Sequence, residues 1–89
     1  MADEALRASW QRTERHLRHV LALQPLPDDV RLAALEFIDH NELGVAFEWI
    51  TGGLVEAGTV LDPSAREALA AAAHEVGLED NADWLRLSR

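Results

Sequence analysis

Apolar residues recur every three or four positions in successive segments of this 89-residue chain, and prolines, glycines or short polar turns separate the segments. This spacing puts apolar side chains on one side of an α-helix, and no segment alternates as a β-strand does. Apolar residues make up 48% of the chain, enough for one modest core and too many for a disordered protein. We therefore predict one all-α domain over residues 1–89, a small antiparallel bundle of four main helices plus a short C-terminal helix.

The breaks in the pattern predict where each helix begins and ends. Pro25 and Pro27 separate the first two helices, and Gly58 and Gly77 stop the third and fourth. Asp62 is a candidate cap for the fourth helix, followed by proline at its first position. The predicted helices cover about residues 3–21, 28–40, 42–57, 63–76 and 80–87.

The apolar stripe of each helix predicts the core. Helix 2 is apolar on two faces, so it either lies centrally or exposes Leu32 and Leu35 to a partner. Its predicted inner face is Val30, Ala33, Ala34, Phe37 and Asn41. The predicted inner stripes of the other main helices are Leu6, Trp10, Thr13, Leu17, Val20 and Leu21 in helix 1; Leu43, Ala46, Phe47, Ile50 and Leu54 in helix 3; and Ala65, Leu69, Ala72, Ala73 and Val76 in helix 4.

The stretch "DHNE" contains Asp39, His40 and Glu42, which are plausible metal ligands or acid–base groups. Adjacent helical positions point about 100° apart, however, and His16 with His19 would supply only two ligands. The chain has no cysteine, no H-E-x-x-H, no nucleophile elbow and no phosphate-binding glycine loop. We therefore predict no enzyme, no catalytic residues, no metal and no cofactor.

A structural role explains the same stretch better. His40 is predicted to end helix 2, where an imidazole is favourable near free carbonyl groups. Asn41 is predicted to cap helix 3, with Glu42 in its first turn. Gly44 is predicted to let helices 2 and 3 approach closely.

The formal charge of −8 is unevenly distributed along the chain. Residues 28–56 contain Arg31 as their only cation, against the acidic residues Asp28, Asp29, Glu36, Asp39, Glu42, Glu48 and Glu56. Such a segment should repel nucleic acid and anionic membranes and attract a basic partner, although acidic surfaces also serve solubility alone. The charged N-terminus shows no secretory signal, and no apolar run is long enough to span a membrane.

The outer face of helix 3 has the composition of a protein interface. Opposite the predicted core stripe lie Val45, Glu48, Gly52 and Glu56, with Trp49 at the margin. An aromatic anchor ringed by carboxylates is typical of a binding surface. The alternative is that Trp49 packs under helix 1 or under the C-terminal helix.

The stretch "FIDHNELGVAFEWI" resembles the small bacterial immunity proteins of the MafI type. The resemblance is clearest over residues 30–54, where a short helix ends in an Ile-Asp-His-Asn-Glu turn and the next carries Gly44, Ala46 and Glu48. A later helix ending at Gly77 and the late Trp84 are consistent with it. The resemblance implies a cytoplasmic antitoxin that binds a co-produced secreted toxin domain, often a nuclease, and blocks it in the producing cell. It supplies no catalytic residues to transfer.

Together these features predict a stoichiometric inhibitor of a basic toxin domain, with no nucleic-acid or membrane partner and an undetermined oligomeric state. The predicted toxin-binding residues are Glu36, Asp39, Glu42, Val45, Glu48, Trp49 and Glu56. A helical interaction or regulatory module without a toxin partner is the alternative, and a small hydrolase is the third candidate.

Overall fold

The computed structural model describes residues 2–89, which form five α-helices and no strand. The all-α class and the four main helices plus a short one are confirmed. No helix in this range combines the length and apolar character needed to cross a bilayer. The helices are α1 (Ala2–Leu23), α2 (Asp28–Asp39), α3 (Leu43–Ala57), α4 (Pro63–Val76) and α5 (Ala82–Leu87).

The bundle consists of two helix pairs, because α1 packs chiefly against α4 and α2 chiefly against α3. Helix α5 packs mainly on α3 and buries Trp84 there. Helix α3 is the central element, and its predicted inner stripe is confirmed at every position: Leu43, Ala46, Phe47, Ile50 and Leu54 are all buried. The α4 stripe is buried as predicted except Val76, which is only partly buried.

Polar contacts align α1 with α4 along their lengths. Arg12 pairs with Glu75 near the end of α4, at 2.9 Å between Nε and Oε1, and Ser9 donates a hydrogen bond to the same carboxylate. At the other end, the side-chain oxygen of Gln24 accepts from the backbone N–H of Asp62 at 2.8 Å.

The part of α1 that precedes Ser9 therefore extends past the end of α4. The prediction that Leu6 and Trp10 lie in the core is wrong, because their side chains are 48% and 39% exposed. For Leu6 the cause is length, since α1 has 22 residues and α4 only 14. Trp10 lies between Ser9 and Arg12, which both contact Glu75 of α4, so Trp10 is exposed on a side of α1 that α4 does not cover. The rest of the predicted stripe is buried: Thr13, Leu17, Val20 and Leu21.

Helix α2 buries a narrower face than its sequence predicts. Ala34 and Ile38 are buried, Phe37 is only partly buried and Asn41 is exposed. The predicted inner face of α2 is centred too far toward Phe37. It therefore omits Ile38, which is buried. Leu32 is 65% exposed, so α2 presents one leucine to solvent.

The turn between α2 and α3 is built around Asn41, but not as a cap of α3. Asn41 has a left-handed backbone with φ of 58°, and its N–H donates to the carbonyl of Ile38 at 3.0 Å. The N–H of Glu42 donates to the carbonyl of Phe37 at 2.8 Å. This is a Schellman ending of α2, in which Asn41 takes the place usually held by glycine.

The two predicted helix stops at glycine are confirmed. Gly58 and Gly77 both have left-handed backbones, with φ of 64° and 72°. After α4, the N–H of Leu78 donates to the carbonyl of Ala73 at 2.9 Å, which completes a second Schellman motif. Asp62 makes no side-chain cap, whereas the unpredicted Asn81 accepts from the N–H of Trp84 and starts α5.

The close approach of α2 and α3 occurs at Gly53 and not at the predicted Gly44. A Cβ atom on Gly53 would lie 2.9 Å from Cγ1 of Val30, which is closer than side chains normally pack. A Cβ atom on Gly44 would meet only Leu78, at an ordinary 3.9 Å. The absence of a side chain at Gly53 therefore fixes how α2 crosses α3.

A candidate protein-binding groove

An open groove of about 580 Å³ runs along the outer face of α3. Four of the seven predicted binding residues line it: Val45, Glu48, Trp49 and Glu56. The remaining lining comes from Val30 of α2, Gly52 and Gly53 of α3, and Asp83 of α5. The predicted outer face of α3 is thus the floor of a groove between two neighbouring helices.

The two glycines of α3 give this floor its shape. At Gly53 the space is filled by Val30 and Leu26. A Cβ atom on Gly52 would meet only the Oδ2 atom of Asp83, at 3.5 Å. The carboxylate of Asp83 therefore lies within ordinary contact distance of the place that a side chain at Gly52 would occupy.

Trp49 forms the aromatic part of the groove and is 45% exposed. Its ring lies 6.1 Å from that of Phe37, centre to centre, with 34° between the ring planes. The alternative that Trp49 packs under helix 1 or the C-terminal helix is therefore wrong. Phe37 supports one part of the indole, while nearly half of the side chain stays available to a partner.

The groove is negatively charged and has no basic residue in its lining. Within residues 2–89, the carboxylates of Glu48, Glu56 and Asp83 make no ion pair and accept no side-chain hydrogen bond. Arg31 is the only cation in the acidic segment, and its guanidinium instead donates to the carbonyls of Leu21 and Gln24 at the end of α1. Three carboxylates thus share one concavity without a counter-charge.

The other three predicted binding residues do not line the groove. Asp39 is engaged by Arg18 of α1, at 2.9 Å between Oδ1 and Nη2. Glu36 and Glu42 are exposed, and Glu42 begins α3. At 100° per residue, Glu36 points away from the buried Ala34–Ile38 side of α2, so it belongs to a different surface.

His40 holds the end of α2 in the predicted way. Its Nδ1 atom lies 2.8 Å from the carbonyl oxygen of Glu36. This backbone hydrogen bond is the main reason that the pKa of His40 is raised, and the nearby carboxylates of Glu36, Glu42 and Asp39 act in the same direction. Among residues 2–89 no group of three or more His, Cys, Asp or Glu side chains is arranged to hold a metal ion.

A smaller concavity between α1 and α4 contains a serine and a histidine in contact. Nε2 of His19 lies 2.8 Å from Oγ of Ser64, and both side chains are exposed. His16 and Glu67 line the same concavity. No carboxylate in the described part of the chain accepts a hydrogen bond from His19, so the orienting third member of a catalytic triad does not accompany this pair.

Sequence reasoning missed three lining residues, Val30, Gly53 and Asp83, as parts of this site. Their membership depends on how α2 and α5 pack against α3, which no local pattern specifies. A partial signal existed for Gly53, because a glycine inside an apolar helical stripe often marks close approach of a neighbouring element.

We compared the chain with protein families, with curated proteins and with solved structures, and none of them matched it.

Proposed function

We propose that this protein is a small immunity protein of the MafI-like kind, a non-enzymatic antitoxin of the producing cell's cytoplasm. It binds a basic toxin domain stoichiometrically and covers the surface that the toxin uses on its substrate. The observation that supports this proposal is the groove on α3, where three unpaired carboxylates surround a half-exposed tryptophan.

Charge and desolvation both favour binding of a basic partner at this groove. Unpaired carboxylates produce a negative potential that accelerates encounter with a basic surface, most strongly at low salt. A nuclease domain must itself be basic where it binds phosphates, so an acidic ligand competes for that surface. Trp49 adds apolar area that is desolvated on contact and slows dissociation.

The proposal includes an antiparallel arrangement of neighbouring helices. The end of α4 meets the first half of α1 through Glu75, while its start meets the end of α1 through Asp62 and Gln24. The three-residue connection between α2 and α3 favours the same arrangement for that pair. This packing puts α2 and α5 on either side of the α3 face.

The decisive experiment uses the toxin domain that the proposal expects to be encoded beside this gene. The double variant Glu48→Lys/Glu56→Lys raises the formal net charge from −8 to −4 without touching the core. We expect it to fold normally, to associate with the toxin at least about tenfold more slowly at low salt, and to lose protection of toxin-expressing cells. Trp49→Ala should instead act mainly on the dissociation rate.

A matched control separates local from global charge. Glu67→Lys/Asp80→Lys makes the same change in net charge at exposed residues that do not line the groove. It should keep protection and most of the association rate. An equal loss of protection in the two double variants would mean that only net charge matters. Full protection by the groove variant would move the site to the surface formed by Leu32, Leu35, Glu36 and Asp39.

A helical interaction module without a toxin partner is the second candidate. The exposure of Leu32 on α2, and of Leu6 and Trp10 in the first half of α1, favours a protein with further contacts. Gene neighbourhood distinguishes the two: an adjacent toxin gene supports immunity, and an operon of metabolic genes supports the module.

A further inference from the structure

The centre of the groove has a specific arrangement of charge around Gly52, which adds no side chain to the floor. Glu48 and Glu56 lie four residues before and after Gly52, which is about 6 Å along the helix axis in each direction. The carboxylate of Asp83 stands over Gly52 itself, at 3.5 Å from where a Cβ would be. A cation placed over Gly52 therefore has a carboxylate beside it and one toward each end of the groove.

Trp49 adds an aromatic surface to the same place. It lines the groove with Gly52 and the three carboxylates, and its contact with Phe37 supports the indole ring. Cations are attracted to the face of an indole, and planar guanidinium groups also stack on it. The groove thus combines an aromatic surface, a negative potential and an open floor.

We propose that this groove receives a single arginine side chain of the partner protein. This inference rests on the proposed function and names the chemistry of the group that the α3 face binds. Arginine suits the site better than lysine because its five N–H donors are spread over a plane and can reach separated acceptors while the plane stacks on an aromatic ring.

The spacing of the carboxylates disfavours the other cationic occupant, a metal ion. Glu48 and Glu56 are about 12 Å apart along the axis of α3. Calcium requires six to eight oxygen atoms within about 2.6 Å, and among residues 2–89 no three His, Cys, Asp or Glu side chains are grouped so that they could hold a metal ion. An extended organic cation is compatible with this separation.

The test uses N-acetylarginine amide as the probe, with the neutral isostere N-acetylcitrulline amide and with N-acetyllysine amide as comparisons. Binding is followed by NMR through the indole N–H signals of the three tryptophans. We expect the arginine probe to shift the Trp49 signal saturably in the millimolar range and to leave those of Trp10 and Trp84 in place. Citrulline should give no saturable shift, and lysine should bind at least several-fold more weakly.

Gly52→Ala provides the variant that keeps the fold. A methyl group at this position makes only an ordinary contact with Asp83 and suits a helix better than glycine does. It nevertheless fills the floor where the guanidinium is placed, so the affinity for the arginine probe should fall about tenfold with an unchanged or higher Tm. Glu67→Lys, outside the groove, should leave the affinity within twofold.

Three results would overturn the inference: no saturable shift of Trp49 with the arginine probe, equal affinity for lysine, or unchanged affinity in Gly52→Ala. These failures are distinguishable from failure of the proposed function. If the probe does not bind but Glu48→Lys/Glu56→Lys loses protection, immunity stands without the arginine site. If the probe binds and that variant still protects, the groove chemistry stands and the toxin contacts another surface.

Discussion

Asn41 holds a backbone conformation that most residues adopt only at a cost. Its φ of 58° completes the hydrogen bonds that end α2, and the side chain itself is exposed and caps nothing. Asparagine and glycine tolerate this left-handed conformation, whereas residues with an ordinary Cβ lose stability in it. The contribution of Asn41 therefore lies in its backbone.

Substitutions at this position test that distinction. Asn41→Ala should lower the free energy of unfolding by about 1 kcal/mol because alanine strains the left-handed turn. Asn41→Gly should stay within about 0.5 kcal/mol of the wild-type value, since glycine adopts the same conformation freely. Urea unfolding measures both. Equal losses in the two variants would show that the side chain, and not the backbone angle, holds the turn.

His40 makes the stability of the domain depend on pH. Its folded-state pKa is raised, so the folded protein binds this proton more tightly than the unfolded chain. The resulting stabilisation is fully present below the unfolded pKa of about 6.5 and is lost as pH rises through the folded pKa. Wild type should therefore gain stability over His40→Gln as pH is lowered from about 8 to 6.

The difference between the two unfolding curves isolates His40, because the other histidines are common to both proteins. A difference that is independent of pH across this range would show that the hydrogen bond to the Glu36 carbonyl does not favour the charged imidazole. Working above about pH 5.5 keeps the carboxylates outside the comparison.

At the scale of helices, sequence periodicity predicted most of the structure, because the 3.6-residue repeat is a local property. It identified all five helices and five of the six buried residues of α3, but not the buried Thr51. It failed where burial depends on a neighbouring element. The spacing of Leu6 and Trp10 matches a buried stripe, but whether a neighbouring helix covers them depends on where α4 ends and on which side of α1 it packs.

The candidate site likewise contains residues that the periodicity of one helix predicts and a residue that only helix packing brings to it. Val45, Glu48, Trp49 and Glu56 share one face of one helix, so the sequence predicted them together. Asp83 joins them only because α5 packs on α3. The prediction that Asn41 caps α3 was wrong for a different reason. Asparagine is favoured both at the start of a helix and in a left-handed helix ending, and the sequence alone does not distinguish the two.

The sequence places both Phe37 and Phe47 on inner helix faces, but their environments in the structure differ. Phe47 is completely buried, whereas Phe37 is partly exposed beside Trp49. Phe47→Ala should lower the free energy of unfolding by about 3–5 kcal/mol through the cavity that it leaves. Phe37→Ala should cost about 1–2 kcal/mol because less apolar surface is lost. Similar losses in chemical denaturation would contradict this difference in burial.

For the whole molecule, the two helix pairs differ in how far apart their members lie in sequence. Helices α2 and α3 are separated by one short turn, while the whole of that pair lies between α1 and α4. Bringing α1 and α4 together therefore requires closing a long loop, which costs more chain entropy than forming the local pair. We expect the folding nucleus to contain α2 and α3, with α1 docking onto α4 after the rate-limiting step. Ile38→Ala should then slow folding, and Val20→Ala should chiefly speed unfolding. Stopped-flow kinetics in urea measure both rates, and they would show the reverse pattern if α1 and α4 paired first.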